Sequence, residues 1–146
     1  MSYTNLLYHV VYATKERYPF ITRELSPELH AYLGGTTRGL GGIALEVGGV
    51  ADHVHLLVKL KPTIAVADFL RDLKSNSSGW AKEQTNGRFA WQSRYGAFTV
   101  SESQVGKVRE YIRTQEEHHR KYSFEQEYRA LLRANGVEFK PEYLWD

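Results

Sequence analysis

The spacing of apolar and polar residues changes period several times along this chain, and each change marks an element. Residues 3–14 (YTNLLYHVVYAT) are apolar on both faces, which predicts a strand in the middle of a sheet. Residues 15–22 read as a loop around Pro19. From 22 to 41, Leu25, Leu29, Tyr32, Leu33 and Leu40 recur at helical spacing, with Pro27 in the first turn and Gly39, Gly41 and Gly42 as the stop. Gly34 and Gly35 each cost this helix about 1 kcal/mol relative to alanine, which suggests close packing on the sheet. Residues 43–50 predict a second strand, turning at Gly48-Gly49 or just after into a third, residues 51–58 (ADHVHLLV). Pro62 ends that hairpin. Thr63 is then a candidate N-cap for a helix to about Lys82, with Val66, Phe69, Leu70 and Leu73 as its apolar side. Residues 89–101 give a fourth strand after an irregular start. Ser101-Glu102-Ser103-Gln104 and Ser123-Phe124-Glu125-Gln126 have the form of capping boxes and open two further helices.

The order is strand, helix, strand, strand, helix, strand, then two helices. It predicts an α+β fold: a ferredoxin-like βαββαβ sandwich with an antiparallel sheet and a C-terminal helical extension. One domain is expected over residues 1–146, with a core at about 3–120 and a C-terminal helix and tail at about 121–146. The tail, ending Tyr143-Leu144-Trp145-Asp146, is aromatic enough to dock.

Composition narrows the classes. There is no cysteine, so neither a disulfide framework nor a thiolate metal site is available. No apolar run is long enough to span a membrane, and no signal-peptide pattern is read at the start, so a cytoplasmic protein is expected. The net charge of +2 permits nucleic-acid binding without arguing for it. Ten tyrosines are read first as ordinary core and surface residues.

Chemistry enters with the third strand. Alternation places His53 and His55 on one face, about 6.5–7 Å apart along the backbone, and Val54, Leu56 and Val58 on the other. Two imidazoles at that spacing suit a shared cation, and they equally suit a solvated pair on an edge strand. By the same alternation Asp52 faces away from them. His9, in the middle of the first strand, reads as a buried, hydrogen-bonded ring that can support such a site from behind. In the helix opened at Ser101, Tyr111 and Gln115 are four apart and share a face, and His118 continues the stripe. Val105, Val108 and Ile112 form the neighbouring packing face. A phenol, an amide and an imidazole on one stripe can serve one reaction centre. Alone, Tyr111 also fits the boundary of an amphipathic helix.

Taken together and in order, these residues resemble a known family. The His53-Val54-His55 strand looks like the H-hydrophobe-H motif of HUH-type nucleases. Trp91-Gln92, the stretch from Tyr95 to Ser101, Tyr111-Ile112 and Gln115 resemble the C-terminal half of the single-tyrosine HUH transposases of small bacterial insertion sequences, including those associated with REP elements. The resemblance runs from Tyr3 to about His119. Arg94 departs from it, standing where a small residue such as glycine is expected.

The resemblance implies a DNA transposase that cuts and rejoins single-stranded hairpin DNA. Tyr111 would be the nucleophile, leaving a 5′-phosphotyrosine and a free 3′-OH. His53, His55 and Gln115 would hold a divalent metal, Mg²⁺ or Mn²⁺, with His9 and His118 supporting them. It further implies a homodimer whose sites can be shared between subunits. A tyrosine with a reference pKa of about 10 is a poor nucleophile at neutral pH, and a metal on the scissile phosphate compensates. Arg17, Lys74, Asn76 and Arg94 are candidate DNA contacts from charge and position alone. The competing readings are a domesticated or inactive relative that binds or nicks hairpin DNA, a ferredoxin-like RNA-binding module with tyrosines stacked on bases, and a metal-dependent hydrolase of small molecules.

Overall fold

The computed structural model describes residues 2–145. Four strands, β1 (Leu6–Ala13), β2 (Ile43–Val50), β3 (His53–Leu60) and β4 (Gly96–Val100), form one antiparallel sheet in the order β2-β3-β1-β4. The helices are α1 (Leu25–Gly39), α2 (Val66–Gln84), α3 (Val105–Arg113), α4 (Gln115–His118) and α5 (Phe124–Ala134). This is the predicted α+β, βαββαβ arrangement with a helical extension. Among the described residues no helix is long and apolar enough to cross a membrane.

Each face of the sheet is covered, which is why β1 and β3 are apolar on both sides. On one face Val10, Tyr12, Val54, Leu56 and Val58 pack against Leu29 and Leu33 of α1 and Phe69, Leu70 and Leu73 of α2. On the other, Val11, Ala13 and Phe98 pack against Phe124, Tyr128 and Leu132 of α5 and against Leu144 of the tail. The tail therefore docks, as its aromatic content suggested; Asp146 lies outside the described residues. The Trp91-Gln92 pair stitches the irregular segment before β4 to the end of β1. The Gln92 amide N–H donates to the Ala13 carbonyl (2.9 Å), the Gln92 side chain accepts from the Ala13 N–H, and the Trp91 indole donates to Ser77 Oγ (3.0 Å).

Several local expectations are corrected. Of the two places expected for the β2-β3 turn the later holds: it falls just after the glycines, at Ala51-Asp52, and Gly48 and Gly49 lie within β2. Thr63 is not an N-cap, because α2 begins at Val66 with Ala65 preceding it. Gly34 and Gly35 do not pack closely: a methyl group on either would meet open space. Ser101 precedes a single 3₁₀ turn, Glu102–Gln104, and caps no helix with its side chain. The box at Ser123 forms in full, with Ser123 Oγ accepting from the Gln126 N–H (3.2 Å) and Gln126 Oε1 accepting from the Ser123 N–H (2.8 Å). The Tyr111 helix does not run unbroken to His118. It breaks at Thr114 (φ −100°, ψ 24°) and resumes as the single turn α4.

Candidate active site

The site lies between the sheet and α3–α5. β3 is an inner strand, so His53 and His55 are fully buried and are not a solvated edge pair. Register brings the neighbours in. His9 stands opposite Leu57 and Val11 opposite His55 across the β1-β3 ladder, and Gly48 stands opposite His55 on β2. Gly48 is what lets α3 approach: a side-chain carbon there would run into the Ile112 carbonyl and side chain. Glu46, two residues earlier on β2, receives Arg109 (3.3 Å) and Arg113 (3.1 Å) from α3. Ile112 is buried in this contact, and Tyr111 next to it is half-buried over the histidines.

Both imidazoles are held by their far nitrogens. His53 Nδ1 donates to Asp52 Oδ1 (2.8 Å), and His55 Nδ1 meets His9 Nε2 (2.8 Å). Asp52 does not face away as alternation suggested. It sits in the turn, where the two-residue period of a strand no longer applies. With Nδ1 engaged, each Nε2 points inward, and the ring centres are 5.1 Å apart. Gln115 Oε1 lies 3.0 Å from His53 Nε2, so the amide reaches the pair although α3 has broken before it.

Two further residues fill the centre. Glu127 of α5 is 3% exposed, and its Oε1 stands 3.1 Å from both His53 Nε2 and His55 Nε2 and 3.0 Å from His119 Nε2. Its Oε2 accepts from Gln115 Nε2 (2.9 Å) and from the Tyr111 hydroxyl. His119 donates through Nδ1 to the Tyr122 carbonyl (2.7 Å). Phe124, one turn before Glu127, stacks on His53 at 3.9 Å. Burial opposes charge on Glu127, but hydrogen bonds from His119, His53 and His55 outweigh it and hold the carboxyl far below the usual range. Burial likewise opposes charge on His53, yet Asp52 and Glu127 push its pKa up to about 9. Burial takes His55 down to about 4, and burial with the neighbouring His55 takes His9 to about 3. Tyr111 is pushed well above its ordinary value by burial and by the Glu127 charge.

Residues 2–115 match the family described as IS200-like transposases. The chain belongs to that family. Membership in this transposase family makes it a DNA-cleaving enzyme. It is 32% identical over 119 residues to the ISDra2 transposase TnpA of Deinococcus radiodurans, covering 75% of this chain and 84% of that protein. A crystal structure of a candidate transposase from Deinococcus radiodurans R1 superposes with a TM-score of 0.65 at 26% identity, covering 78% of this chain and 93% of that one. The structure of a REP-associated tyrosine transposase bound to a REP hairpin shares the fold, with a TM-score of 0.61 at 13% identity, covering 82% and 72%.

His53, His55, Tyr111, Gln115 and His9 thus meet in one place in this transposase. His118 flanks them, its ring 5.3 Å from that of Tyr111 and its Nε2 3.7 Å from Glu127 Oε2. Of the candidate DNA contacts, Arg17 lies over Trp145 (4.1 Å) and lines a groove beside Asp52 and His119. Arg94 lies over Tyr143 (5.5 Å). Lys74 and Asn76 stand on α2, which packs on the sheet face opposite the histidines. Lys74 is bound to the Gln92 carbonyl (2.5 Å), and Asn76 is exposed. Glu127, His119 and Asp52 are the site residues that sequence reasoning missed. For Glu127 a signal existed: an acid at 127 between Phe124, Tyr128 and Leu131 interrupts an otherwise apolar helical stripe.

The donor set fits a cation. His53 Nδ1 and His119 Nδ1 carry their protons to oxygen acceptors, so in the neutral rings both Nε2 lone pairs face oxygen atoms of Gln115 and Glu127. Lone pairs facing one another require a positive charge between them, whether protons or a metal ion.

Proposed function

We propose that this transposase cuts and rejoins single-stranded DNA, folded as hairpins at the ends of a mobile element, through a covalent bond to Tyr111. A divalent cation, Mg²⁺ or Mn²⁺, would be held by His53, His55 and Gln115. The observation that supports this most is the meeting of all four residues in one chain, with His53 Nε2 and Gln115 Oε1 3.0 Å apart and the Tyr111 and His55 ring centres 5.6 Å apart.

When bound, the cation supplies positive charge against the scissile phosphate and the departing oxygen. The protein's own groups do the rest. Asp52 fixes the His53 ring, and His9 accepts from His55 Nδ1 in the tautomer that frees Nε2. The α3–β2 contact at Gly48 and Glu46 holds Tyr111 in place. The Tyr111 hydroxyl gives up its proton to solvent as its oxygen bonds to phosphorus, the bond from phosphorus to the 3′ oxygen breaks, and that oxygen takes up a proton from solvent as a free 3′-OH. The new bond is again a phosphodiester, so a 3′-OH from another strand can reverse the step without ATP.

Openings lie on two sides of the site, one beside the tyrosine and one beside Asp52 and His119. A cavity of about 340 Å³ adjoins Tyr111, His9 and Phe98, and a groove of about 910 Å³ on the Asp52 and His119 side carries Arg17, Arg23 and Arg120. A strand crossing from one to the other would set a phosphate at the site and others against those guanidinium groups. The resemblance implies a homodimer. In this chain the catalytic residues meet without one, so a dimer would serve to hold two DNA ends.

An RNA-binding sheet is disfavoured, because helices bury both faces of β1 and β3. The test is to incubate the protein with Mn²⁺ and labelled single-stranded DNA from the flanks of its own gene, then resolve the products on a denaturing gel. A downstream fragment linked to the protein through its 5′ phosphate and an upstream fragment ending in a free 3′-OH are expected. Binding of the hairpin with no adduct under any metal would replace this proposal with the domesticated, non-cleaving reading.

A further inference from the structure

Glu127 has no place in the ligand set just proposed, yet it is the side chain on which that set converges. We infer that Glu127, carried by the C-terminal helix α5, is itself a ligand of the divalent cation and links it to the nucleophile. The inference rests on the metal reading above and extends it.

Three observations carry it. The first is spacing. An octahedral ion with bonds of about 2.1 Å holds adjacent ligands about 3.0 Å apart. Glu127 Oε1 stands 3.1 Å from His53 Nε2 and 3.1 Å from His55 Nε2, and His53 Nε2 stands 3.0 Å from Gln115 Oε1. The second is a division of labour within the carboxylate. Oε1 faces the imidazoles, while Oε2 accepts from the Tyr111 hydroxyl and from Gln115 Nε2. One side chain therefore touches both the metal donors and the attacking group. Nitrogen and oxygen atoms of His53, His119 and Glu127 lie within 4.8 Å of one another, the spread expected of ligands around one ion. The third is position in the chain. The family match ends at residue 115, and Glu127 lies twelve residues beyond it.

The chemistry also favours a carboxylate. Two imidazoles and an amide are all neutral, and Mg²⁺ and Mn²⁺ prefer hard, charged oxygen. Glu127 supplies that charge, and its burial in the capped first turn of α5 fixes where it points.

The test is Mn²⁺ binding to the full-length protein without DNA, followed by calorimetry, for wild type, Glu127→Gln and His55→Ala. Wild type should bind, and both variants should bind at least about tenfold more weakly. Binding lost in His55→Ala but unchanged in Glu127→Gln would overturn the role of Glu127 and leave the metal site standing. No Mn²⁺ uptake by wild type would overturn both. If Glu127→Gln does not fold, a crystal of Mn²⁺-loaded wild type decides. A Glu127 oxygen within about 2.3 Å of the ion supports the inference, and a carboxylate turned away from it overturns it.

Discussion

Tyr111 and Glu127 meet across the gap between α3 and α5: the phenol donates to Oε2 of a carboxylate whose Oε1 lies 3.1 Å from His55 Nε2. That contact, with burial, keeps the phenol protonated in the metal-free protein. Tyr111→Phe removes one oxygen and leaves Glu127 with Gln115 and three histidines. The variant should fold, lose no more than about 1–3 kcal/mol of stability for the lost charged hydrogen bond, and bind DNA, yet give no covalent adduct. Peptide mapping of the wild-type adduct should find the nucleotide on the peptide containing Tyr111. A nucleotide on any other tyrosine would refute the assignment.

The Asp52 carboxylate accepts from the far nitrogen of His53, so the influence of its charge runs through that ring. Asp52→Asn keeps the shape and removes the charge. It should weaken Mn²⁺-dependent cleavage about 10–100-fold, as loss of a ligand's supporting carboxylate does elsewhere, with the loss offset at high Mn²⁺. A loss independent of Mn²⁺ concentration would place Asp52 on the DNA rather than behind the ligand.

The buried cluster sets a pH dependence of stability in metal-free protein. His9 and His55 titrate at about 3 and about 4, below the 6.5 of a free ring, so the unfolded chain binds more protons as pH falls below 6.5 and stability drops. Glu127, depressed in the fold, adds to the same acid loss below about pH 4.5. His53, raised to about 9, contributes stability that is complete below 6.5 and is lost as pH rises through 9. The urea midpoint measured in EDTA should therefore peak near pH 6.5 and fall on both sides. Asp52→Asn should flatten the alkaline side and leave the acid side nearly as steep.

Gly48 makes the docking of α3 possible. Gly48→Ala puts a methyl group against the Ile112 carbonyl, which is backbone and cannot step aside. The strain should cost about 1–3 kcal/mol and displace Tyr111 from His55. Adduct formation should fall more than thermal stability predicts, while Gly34→Ala, in open space on α1, leaves adduct formation unchanged.

Much of this was legible in the sequence because the controlling patterns are local. The double-sided apolar run of β1, the hairpin into His53 and His55, and the Ser123 capping box each follow from residues within a few positions of one another. The four-residue step from Tyr111 to Gln115 links two residues that the fold does bring together, although the helix between them breaks at Thr114. Burial of the histidines was not legible, since it depends on α5 folding back over β3 from seventy residues away. The contacts of Glu127 with His53 and His55 were hidden for the same reason: the apolar stripe around it marks Glu127 as unusual, but a lone acid in an amphipathic helix normally faces water and nothing local names its distant partners. Asp52 was misplaced because strand alternation was carried one residue too far, into the turn.

The last prediction concerns which chain's residues act together. His55 and Tyr111 approach within one protomer, their ring centres 5.6 Å apart, and Glu127 bridges them. α3 is fastened to its own β2 through Glu46, Arg109 and Arg113, and its carbonyl rests on Gly48. For Tyr111 to serve a partner's histidines, these contacts and the Tyr111–Glu127 hydrogen bond would have to break. Mixing inactive His55→Ala with inactive Tyr111→Phe separates the two arrangements. In the arrangement seen here every site in a mixed dimer lacks either its ligand or its nucleophile, and no adduct should form. If the sites were shared, one of the two in each mixed dimer would be whole, and at full exchange of equal amounts, where half of the dimers are mixed, activity would return to about a quarter of that of wild type. Exchange is checked by co-purification of differently tagged subunits, and an adduct in the exchanged mixture would show that α3 crosses to the partner when DNA is bound.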